Sequence, residues 1–143
     1  MENKNNDANA KKKIVIDGAN VAFWPCKRKK SKDWGLVTKV IDYYHEREHS
    51  CLVVMPRHFY HKIEKKIIRE IEKYAVILQI PIGTDSEFDD KILIGYCKVT
   101  DANYVSNDKN MSTHFKENNV VVRDWCQSHR IGFTFDKQEK FIP

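Results

Sequence analysis

The sequence predicts an α/β protein in three layers, α/β/α, with helices on both faces of a mostly parallel sheet of about five strands. Short apolar runs alternate along the chain with longer segments whose apolar residues recur at helical spacing. This alternation favours parallel strands joined by crossover helices. The 143 residues are enough for one domain with its own core. We place that domain at residues 13–143, after a polar, basic tail at residues 1–12 that we expect to be disordered.

The first half of the chain predicts two strand-and-helix units. Residues 14–17 predict the first strand, an apolar run that ends in Asp17, and Gly18 then lets the backbone turn sharply. Apolar residues at helical spacing between positions 36 and 44 predict the first helix. The second strand is the apolar run at residues 51–55, which Pro56 stops. The charged helix that follows has an apolar face formed by Ile63, Ile67, Ile71 and Tyr74.

The second half continues the pattern. Residues 75–80 predict a third strand, which leads through an acidic turn into a third helix. Residues 103–106 predict the fourth strand and residues 120–129 a helix, while residues 108–119 fit neither pattern clearly. Alternation at residues 131–135 predicts a last strand at an edge of the sheet. The apolar face of the third helix is predicted to be Ile92, Leu93, Tyr96 and Val99.

Net charge, cysteine spacing and hydrophobicity indicate which partners and which cellular compartment suit this protein. The formal net charge of +5 favours a polyanion such as nucleic acid, although charge alone does not establish one. The four cysteines lack zinc-finger spacing, which argues against structural zinc and favours free thiols, with Cys51 and Cys97 buried, in a reducing compartment. No segment has the roughly 20 apolar residues of a membrane span. We therefore expect no membrane partner and a cytoplasmic, or alternatively nuclear, location.

Four acidic residues are predicted to meet at one edge of the sheet. Asp17 and Asp108 follow predicted strands, and Asp89 and Asp90 lie in the first turn of the third helix. Open α/β sheets place their sites at the carboxyl ends of their strands. Carboxylates brought together raise one another's pKa, which favours a cation between them, and oxygen ligands suit Mg²⁺ or Mn²⁺. We favour Asp90 over Asp89 as the nearer metal ligand.

Each of these acids also has a purely structural interpretation. Asp17 and Asn20 are common turn residues, the acidic pair complements a helix dipole, and Asp108 can cap the next segment. On the functional interpretation, Asn20 hydrogen-bonds the Asp17 carboxylate or the scissile phosphate. Ser106 and Asn107 support the site, and Ser106 orients Asp17 or Asp108 rather than attacking phosphate, since no histidine base is paired with it.

Basic and aromatic residues supply candidates for holding nucleic acid. The densest cationic run follows the Asp17 turn, and Trp24 beside it can stack on a base. A solvated loop or a localisation signal is an equally good interpretation of that run. The candidate nucleic-acid-binding residues are Trp24, Lys27, Arg28, Lys29, Lys30, Lys32, Arg47 and Arg57.

These motifs resemble the NYN branch of the PIN-like nucleases, and most closely the Regnase/MCPIP group of CCCH-associated ribonucleases. The similar segments are Val15–Ala22, Tyr43–Arg47, Phe88–Lys91, Val105–Asp108 and Asp136–Pro143. The resemblance spans about residues 13–143 and implies a PIN-like, Rossmann-like fold, Mg²⁺-dependent endoribonuclease chemistry and, as one assembly, a homodimer. The active-site positions that it implies are Asp17, Asn20, Asp89, Asp90 and Asp108.

Three departures from that group bear on RNA selection. The zinc finger that follows the nuclease domain there does not occur in these 143 residues. The basic stretch before the acidic pair is replaced by residues 81–87, and Ser112 stands where a further acid is expected. We therefore expect another loop to hold the RNA and a second metal site to be weakened.

Two functional hypotheses follow. The first is an endoribonuclease for single-stranded or stem-loop RNA whose Mg²⁺ or Mn²⁺, held by the four acids, activates water and stabilises charge on the phosphate. The second is an RNA-binding adaptor that keeps the fold but cleaves poorly. A phosphatase or nucleotide-binding protein is disfavoured, because no glycine-rich phosphate loop follows the first strand.

Overall fold

Five parallel strands form the central sheet of this protein. The computed structural model describes residues 11–25, 32–81, 88–114 and 120–143, without the side chains of Asp89, Thr113, His114 and Val120. The strands are β1 (Lys12–Asp17), β2 (His49–Pro56), β3 (Ala75–Ile80), β4 (Asn103–Val105) and β5 (Arg130–Ile131). They lie in the order β3-β2-β1-β4-β5, and every neighbouring pair is parallel. The predicted parallel sheet of about five strands is confirmed.

Helices connect the strands and cover both faces of the sheet. They are α1 (Gly18–Ala22), α2 (Gly35–Glu46), α3 (Arg57–Tyr60), α4 (Lys65–Glu72), α5 (Phe88–Thr100) and α6 (Val120–His129), with a 3-10 helix at Met111–His114. The predicted tail lies outside the described residues up to position 10, and β1 already begins at Lys12. No helix within the described ranges is long and apolar enough to cross a bilayer.

The period-two alternation of the strands divides the core into two layers. On β1, Ile14 and Ile16 face one apolar cluster and Val15 faces the other. The first cluster packs residues of α1, α2 and α4 against the sheet, and the second packs α5 and α6 against the opposite face. This arrangement confirms the three-layer α/β/α architecture. The buried cysteines Cys51, Cys97 and Cys126 are free thiols, as predicted for the first two.

Two helix predictions need correction. The helix predicted from Ile63 to Tyr74 is shorter and is preceded by the separate helix α3, so Tyr74 lies beyond its end and stacks on His45. The predicted apolar face of α5 was also wrong at Val99, which is 88% exposed. The buried residues of that helix are Leu93, Ile94 and Cys97. The helix therefore faces the sheet with these residues and not with the face that includes Val99.

The last predicted strand, residues 131–135, is split in the structure. Its first residue belongs to β5 at the edge of the parallel sheet. The chain then leaves the sheet, and β6 (Thr134–Phe135) pairs antiparallel with β7 (Phe141–Ile142). The alternation was real, but Phe133, Phe135 and Phe141 bury their rings in the first apolar cluster instead of extending the sheet.

A close approach between the end of β1 and β2 generates the first prediction. A Cβ atom at Gly18 would lie 3.0 Å from the carbonyl oxygen of Val54 and 3.0 Å from Cγ1 of Val53. We expect Gly18→Ala to lower the free energy of unfolding by about 1–3 kcal/mol, because β2 must move to admit the methyl group. The measurement is denaturant unfolding monitored by circular dichroism.

Gly95 supplies the matched control for this substitution. It lies within α5, and a Cβ there would meet nothing within 4 Å. Gly95→Ala should therefore raise the free energy of unfolding by about 0.4–1 kcal/mol, because alanine restricts the unfolded chain without a clash. Equal effects of the two substitutions would contradict the packing at Gly18.

Candidate active site

The candidate site lies where the strand order reverses. The chain leaves β1 towards β2 on one side and later returns to β4 on the other side of β1. Connections that diverge from adjacent strands leave a crevice at their carboxyl ends, where α/β proteins bind ligands. Asp17 ends β1, and Asp108 follows β4 by three residues. The register of Ile16 opposite Val105 brings the two strand ends side by side.

Asp17 lies at the base of this crevice and is partly exposed. Its Oδ2 accepts a hydrogen bond of 2.9 Å from the Ser106 hydroxyl. The pKa of Asp17 is raised from 3.8 to about 7, chiefly because the surrounding protein replaces water around the charge, and next because Asp90 is close. Asp108 adds a smaller repulsion, while the bonds from Ser106 and from the backbone of Asn20 oppose the shift. A carboxylate in this position favours any cation that can offset its charge.

The acidic pair reaches the crevice from the other side, at the start of α5. Phe88 is the first residue of that helix, so both acids lie in its first turn as predicted. Asp90 is partly buried, and its charge acts on Asp17 more strongly than that of Asp108. The backbone of Asp89 is in the same turn, and its side chain lies outside the described part of the structure.

Ser106 joins the two strand ends through its buried hydroxyl. The hydroxyl donates to Asp17 and accepts a 3.1 Å hydrogen bond from the backbone N–H of Asp108. Asp108 in turn accepts through Oδ1 from the N–H of Asn110 at 2.8 Å, just before the 3-10 helix. Ser106 therefore holds the Asp17 carboxylate and the Asp108 backbone in position. Asp108 caps a turn through one of its carboxylate oxygens.

The two asparagines have more structural duties than the sequence indicated. The side-chain oxygen of Asn20 accepts from the backbone N–H of Asn107 at 2.8 Å, and it is the Asn20 backbone that bonds to Asp17. Of the two partners predicted for the Asn20 side chain, the Asp17 carboxylate is bonded by the Asn20 backbone instead, and the phosphate stays a prediction. Asn107 exposes part of its surface but clamps Phe133, donating to its carbonyl at 3.0 Å and accepting from its N–H at 2.8 Å.

A cleft of about 360 Å³ opens beside the acids. Its polar side is formed by Asn20 and by the loop from Asn107 to Asn110, which includes Asp108 and Lys109. Its apolar side is formed by Phe23 and Trp24, and the Trp24 ring meets Phe135 edge-on at a centroid distance of 5.2 Å. The predicted stacking residue is thus at the site, on a wall supported by the C-terminal hairpin.

The predicted cationic residues are not all near this cleft. Arg57 is exposed and begins α3 at the carboxyl end of β2, on the edge of the sheet that carries Asp17. The Lys32 ammonium lies over the rings of Phe23 and Phe59, at 4.9 and 4.3 Å. Arg47 lies just before the start of β2, at the opposite edge, and packs on the ring of Tyr43. The predictions for Lys27, Arg28, Lys29 and Lys30 fall outside the described residues.

Sequence reasoning missed four residues that line the cleft, namely Phe23, Pro25, Lys109 and Asn110. Phe23 follows α1 and faces the same space as Trp24. Lys109 directly follows the last acid and contributes a cation to the rim. Their adjacency to Trp24 and Asp108 was the available signal, because neighbours of a site residue on a short loop tend to share its surface.

The donor set determines whether a metal fits. Among the described side chains, no three His, Cys, Asp or Glu groups are placed to hold a metal ion together. The oxygen donors of Asp17, Asp90 and Asp108 nevertheless suit a hard cation, and the raised pKa of Asp17 shows that these charges interact. Mg²⁺ is commonly bound through one or two carboxylates, with waters and substrate phosphates as its other ligands. The residues therefore fit a metal that is completed by its substrate.

Comparisons with known proteins were informative at the level of family and fold. The profile of the family described as Zc3h12a-like Ribonuclease NYN domain matches residues 10–143. Two solved structures of the nuclear protein-only RNase P 2 of Arabidopsis thaliana are similar in fold. One has a TM-score of 0.72 and 16% identity, covering 94% of this chain and 30% of that chain. The other has a TM-score of 0.71 and 15% identity, covering 92% and 29%.

These matches differ in what they establish. At 15–16% identity the two structures show the fold, and this chain spans less than a third of either of them. No curated protein sequence matches the chain significantly. The family profile covers nearly the whole sequence, including every acidic residue of the crevice.

The raised pKa of Asp17 generates a stability prediction for the metal-free protein. The folded state holds this proton up to a pH of about 7, whereas the ordinary pKa is 3.8. Between these values the folded state binds more protons than the unfolded state, so stability falls as the pH rises and levels off above about 7. The loss attributable to Asp17 should be on the order of 2–4 kcal/mol.

Asp17→Asn provides the comparison, because an amide does not titrate. With EDTA present, the difference in unfolding free energy between pH 5 and pH 8 should be larger in the wild type than in the variant. Urea unfolding at the two pH values measures it. An identical pH dependence in both proteins would mean that Asp17 is not buried against negative charge.

Proposed function

Because this chain belongs to the family of Zc3h12a-like ribonuclease NYN domains, we propose that it is a metal-dependent endoribonuclease that cleaves single-stranded or loop RNA. The observation that carries the proposal is that the charges of Asp90 and Asp108 both act on the Asp17 carboxylate, which lies at the carboxyl end of β1 beside the end of β4. These acids lie beside a cleft with one aromatic and one polar wall. An acidic crevice next to a stacking surface suits a phosphodiester whose neighbouring base is unstacked.

The metal would be held by one or two of the carboxylates of Asp17, Asp90 and Asp108, with Asp89 as a further candidate and with waters and an RNA phosphate as its other ligands. Bound Mg²⁺ or Mn²⁺ supplies stabilisation of the charge that develops on the phosphate and lowers the pKa of a water ligand. Asp17 must give up its proton when the cation binds, since the pKa of Asp17 is about 7 without one. Ser106 stabilises this ionised form because its hydroxyl donates a hydrogen bond to Oδ2 of Asp17.

The cleft walls would position the RNA. Trp24 and Phe23 present rings for a base, and the amides of Asn20 and Asn107 line the same cleft. Lys109 at the rim and Arg57 on the same edge of the sheet supply positive charge for phosphates on either side of the cleaved bond. A cleft of about 360 Å³ has the size of a small-ligand pocket, so it accepts one flipped-out nucleotide rather than a duplex.

A second candidate is an RNA-binding adaptor with weak or no cleavage. The observation that favours it is the lack of a three-residue metal-ligand group among the described side chains. In that case the cleft would bind RNA, while the acids would bind a cation too weakly for turnover. The two candidates differ in turnover and share the binding surface.

Cleavage of a labelled, unstructured RNA decides between them. The wild type should cut it in Mg²⁺ or Mn²⁺ and lose activity in EDTA, and Asp17→Asn and Asp108→Asn should each lower the rate by roughly 100-fold or more. Asp101→Asn is the matched control. Its side chain is 94% exposed, and it precedes β4 at the other edge of the sheet. Metal-dependent binding of RNA by the wild type without any product would favour the adaptor.

Trp24 allows a separate test of the RNA surface. Trp24→Ala should weaken RNA binding by roughly 5- to 100-fold, since one stacked base contributes about 1–3 kcal/mol. Trp24→Phe should retain most of the affinity, because a ring still faces the cleft and still meets Phe135. Fluorescence anisotropy in the Asp17→Asn background, which should not cleave, gives the affinity. Equal binding by the alanine and phenylalanine variants would exclude stacking at this position.

A further inference from the structure

A second cavity, of about 280 Å³, lies next to the candidate active site. It is formed between the end of β4, the loop after Asp108, and α6. Lys109 lines both this cavity and the cleft, so the two spaces are neighbours. Ser112, at the position where the sequence comparison led us to expect an acid, lines the second cavity and is buried.

The floor of the cavity is a buried tyrosine whose hydroxyl lies against a thiol. Tyr104 is fully buried, and its hydroxyl oxygen has no well-placed hydrogen-bond partner among the described residues. The Cys126 thiol is close enough for the two groups to affect each other's pKa through a side-chain hydrogen bond, but sulfur is a weak partner. Buried polar groups in proteins are nearly always satisfied, so an unpartnered one at a cavity calls for an explanation. A ligand that accepts a hydrogen bond would provide it.

The walls of the cavity carry positive charge. Its described lining includes Lys109, Arg123 and Arg130, and it includes no carboxylate. Arg130 is held in place by a 3.0 Å hydrogen bond from Nη1 to the carbonyl of Ser106. Arg123 is more exposed and lies 3.9 Å from a carboxylate oxygen of the neighbouring Asp124. The cavity therefore concentrates cations and hydroxyl groups.

These groups match one ligand chemistry. Guanidinium groups bind the oxygens of phosphates in pairs, and hydroxyl donors complete such sites. Burial raises the pKa of Tyr104, so its hydroxyl stays protonated and can donate at neutral pH. A cation ligand is disfavoured by the three positive side chains, and an apolar ligand would leave the Tyr104 hydroxyl unsatisfied.

We propose that this cavity is a binding site for a phosphate group. The phosphate accepts a hydrogen bond from the Tyr104 hydroxyl, and its negative charge is balanced by Arg123, Arg130 and Lys109. If the chain is the ribonuclease proposed above, on which this step rests, the phosphate belongs to the RNA strand that passes Lys109 from the cleft. It is either an internal phosphodiester or a 5′-terminal monophosphate. Both present the same anionic oxygens to the pocket, and the experiment below separates them.

The first measurement uses inorganic phosphate and metal-free protein in EDTA. Amide signals of residues around the cavity, followed by NMR at constant ionic strength, should shift with saturation. Tyr104→Phe and Arg123→Gln should each weaken phosphate binding by roughly tenfold. Arg69→Gln is the charge control, since Arg69 is exposed on α4, away from this cavity. Unchanged affinity in both cavity variants, or an equal loss in the control, would overturn the proposal.

A folding check keeps the tyrosine result interpretable. Because Tyr104→Phe removes a hydroxyl whose neighbouring polar group is the weakly bonding Cys126 thiol, it should change the equilibrium constant of unfolding by less than about fivefold, or about 1 kcal/mol in free energy. A larger loss of stability would show that the hydroxyl has a strong partner within the protein, which would also overturn the proposal.

The second measurement identifies the source of the phosphate. Two RNAs of the same sequence, one with a 5′-phosphate and one with a 5′-hydroxyl, are compared in the Asp17→Asn background. Loss of affinity in Tyr104→Phe for the phosphorylated RNA alone assigns a terminal phosphate, and loss for both assigns an internal one. No loss for either would overturn the assignment to the RNA strand. These are binding equilibria, so a failure of the cleavage assay and a failure of this pocket are distinguishable.

Discussion

The pairing of β1 with β4 is the constraint on which the site depends. Parallel register places the last residue of β1 next to Ser106, and the Ser106 hydroxyl then joins the Asp17 carboxylate to the backbone of Asp108. One fully buried hydroxyl thus sets the positions of two acids that are distant in sequence. Because the strand order reverses between these strands, their connections diverge and leave a crevice at the carboxyl ends.

Negative and positive side chains occupy separate, neighbouring sites around the ends of β1 and β4. The acids meet in the crevice, where their mutual repulsion and partial burial keep the pKa of Asp17 high. Beyond Lys109, the second cavity carries arginines and hydroxyl groups. The acidic crevice and the basic cavity are both compatible with a bound RNA strand. A metal ion can bridge one phosphate to the acids, while the lysine and arginine side chains hold another phosphate. The excess of basic residues in the composition is therefore compatible with an acidic centre.

The C-terminal hairpin contributes to the site without supplying any of its acids. Asn107 clamps the backbone of Phe133, and Asn20 accepts a hydrogen bond from Asn107, so α1, the β4 loop and the hairpin segment are tied together. Phe135 supports the ring of Trp24 from behind. The shape of the cleft consequently depends on a segment that lies further along the chain, since Phe133 follows Asn107 by 26 residues.

The sequence by itself determined the layers, the parallel strands and the edge where the acids meet, because hydrophobic periodicity and the position of a residue after a strand are local properties. Helix α6 and strand β3 have the predicted bounds for the same reason. Which face α5 buries, how residues 130–135 divide between two sheets, and what Asn20 and Asn107 bond to were decided only by the tertiary structure. So was the cavity over Tyr104, because it lies between segments whose approach no local pattern encodes. Long-range packing and hydrogen bonding select among local alternatives of similar energy, and that selection is made by the whole fold.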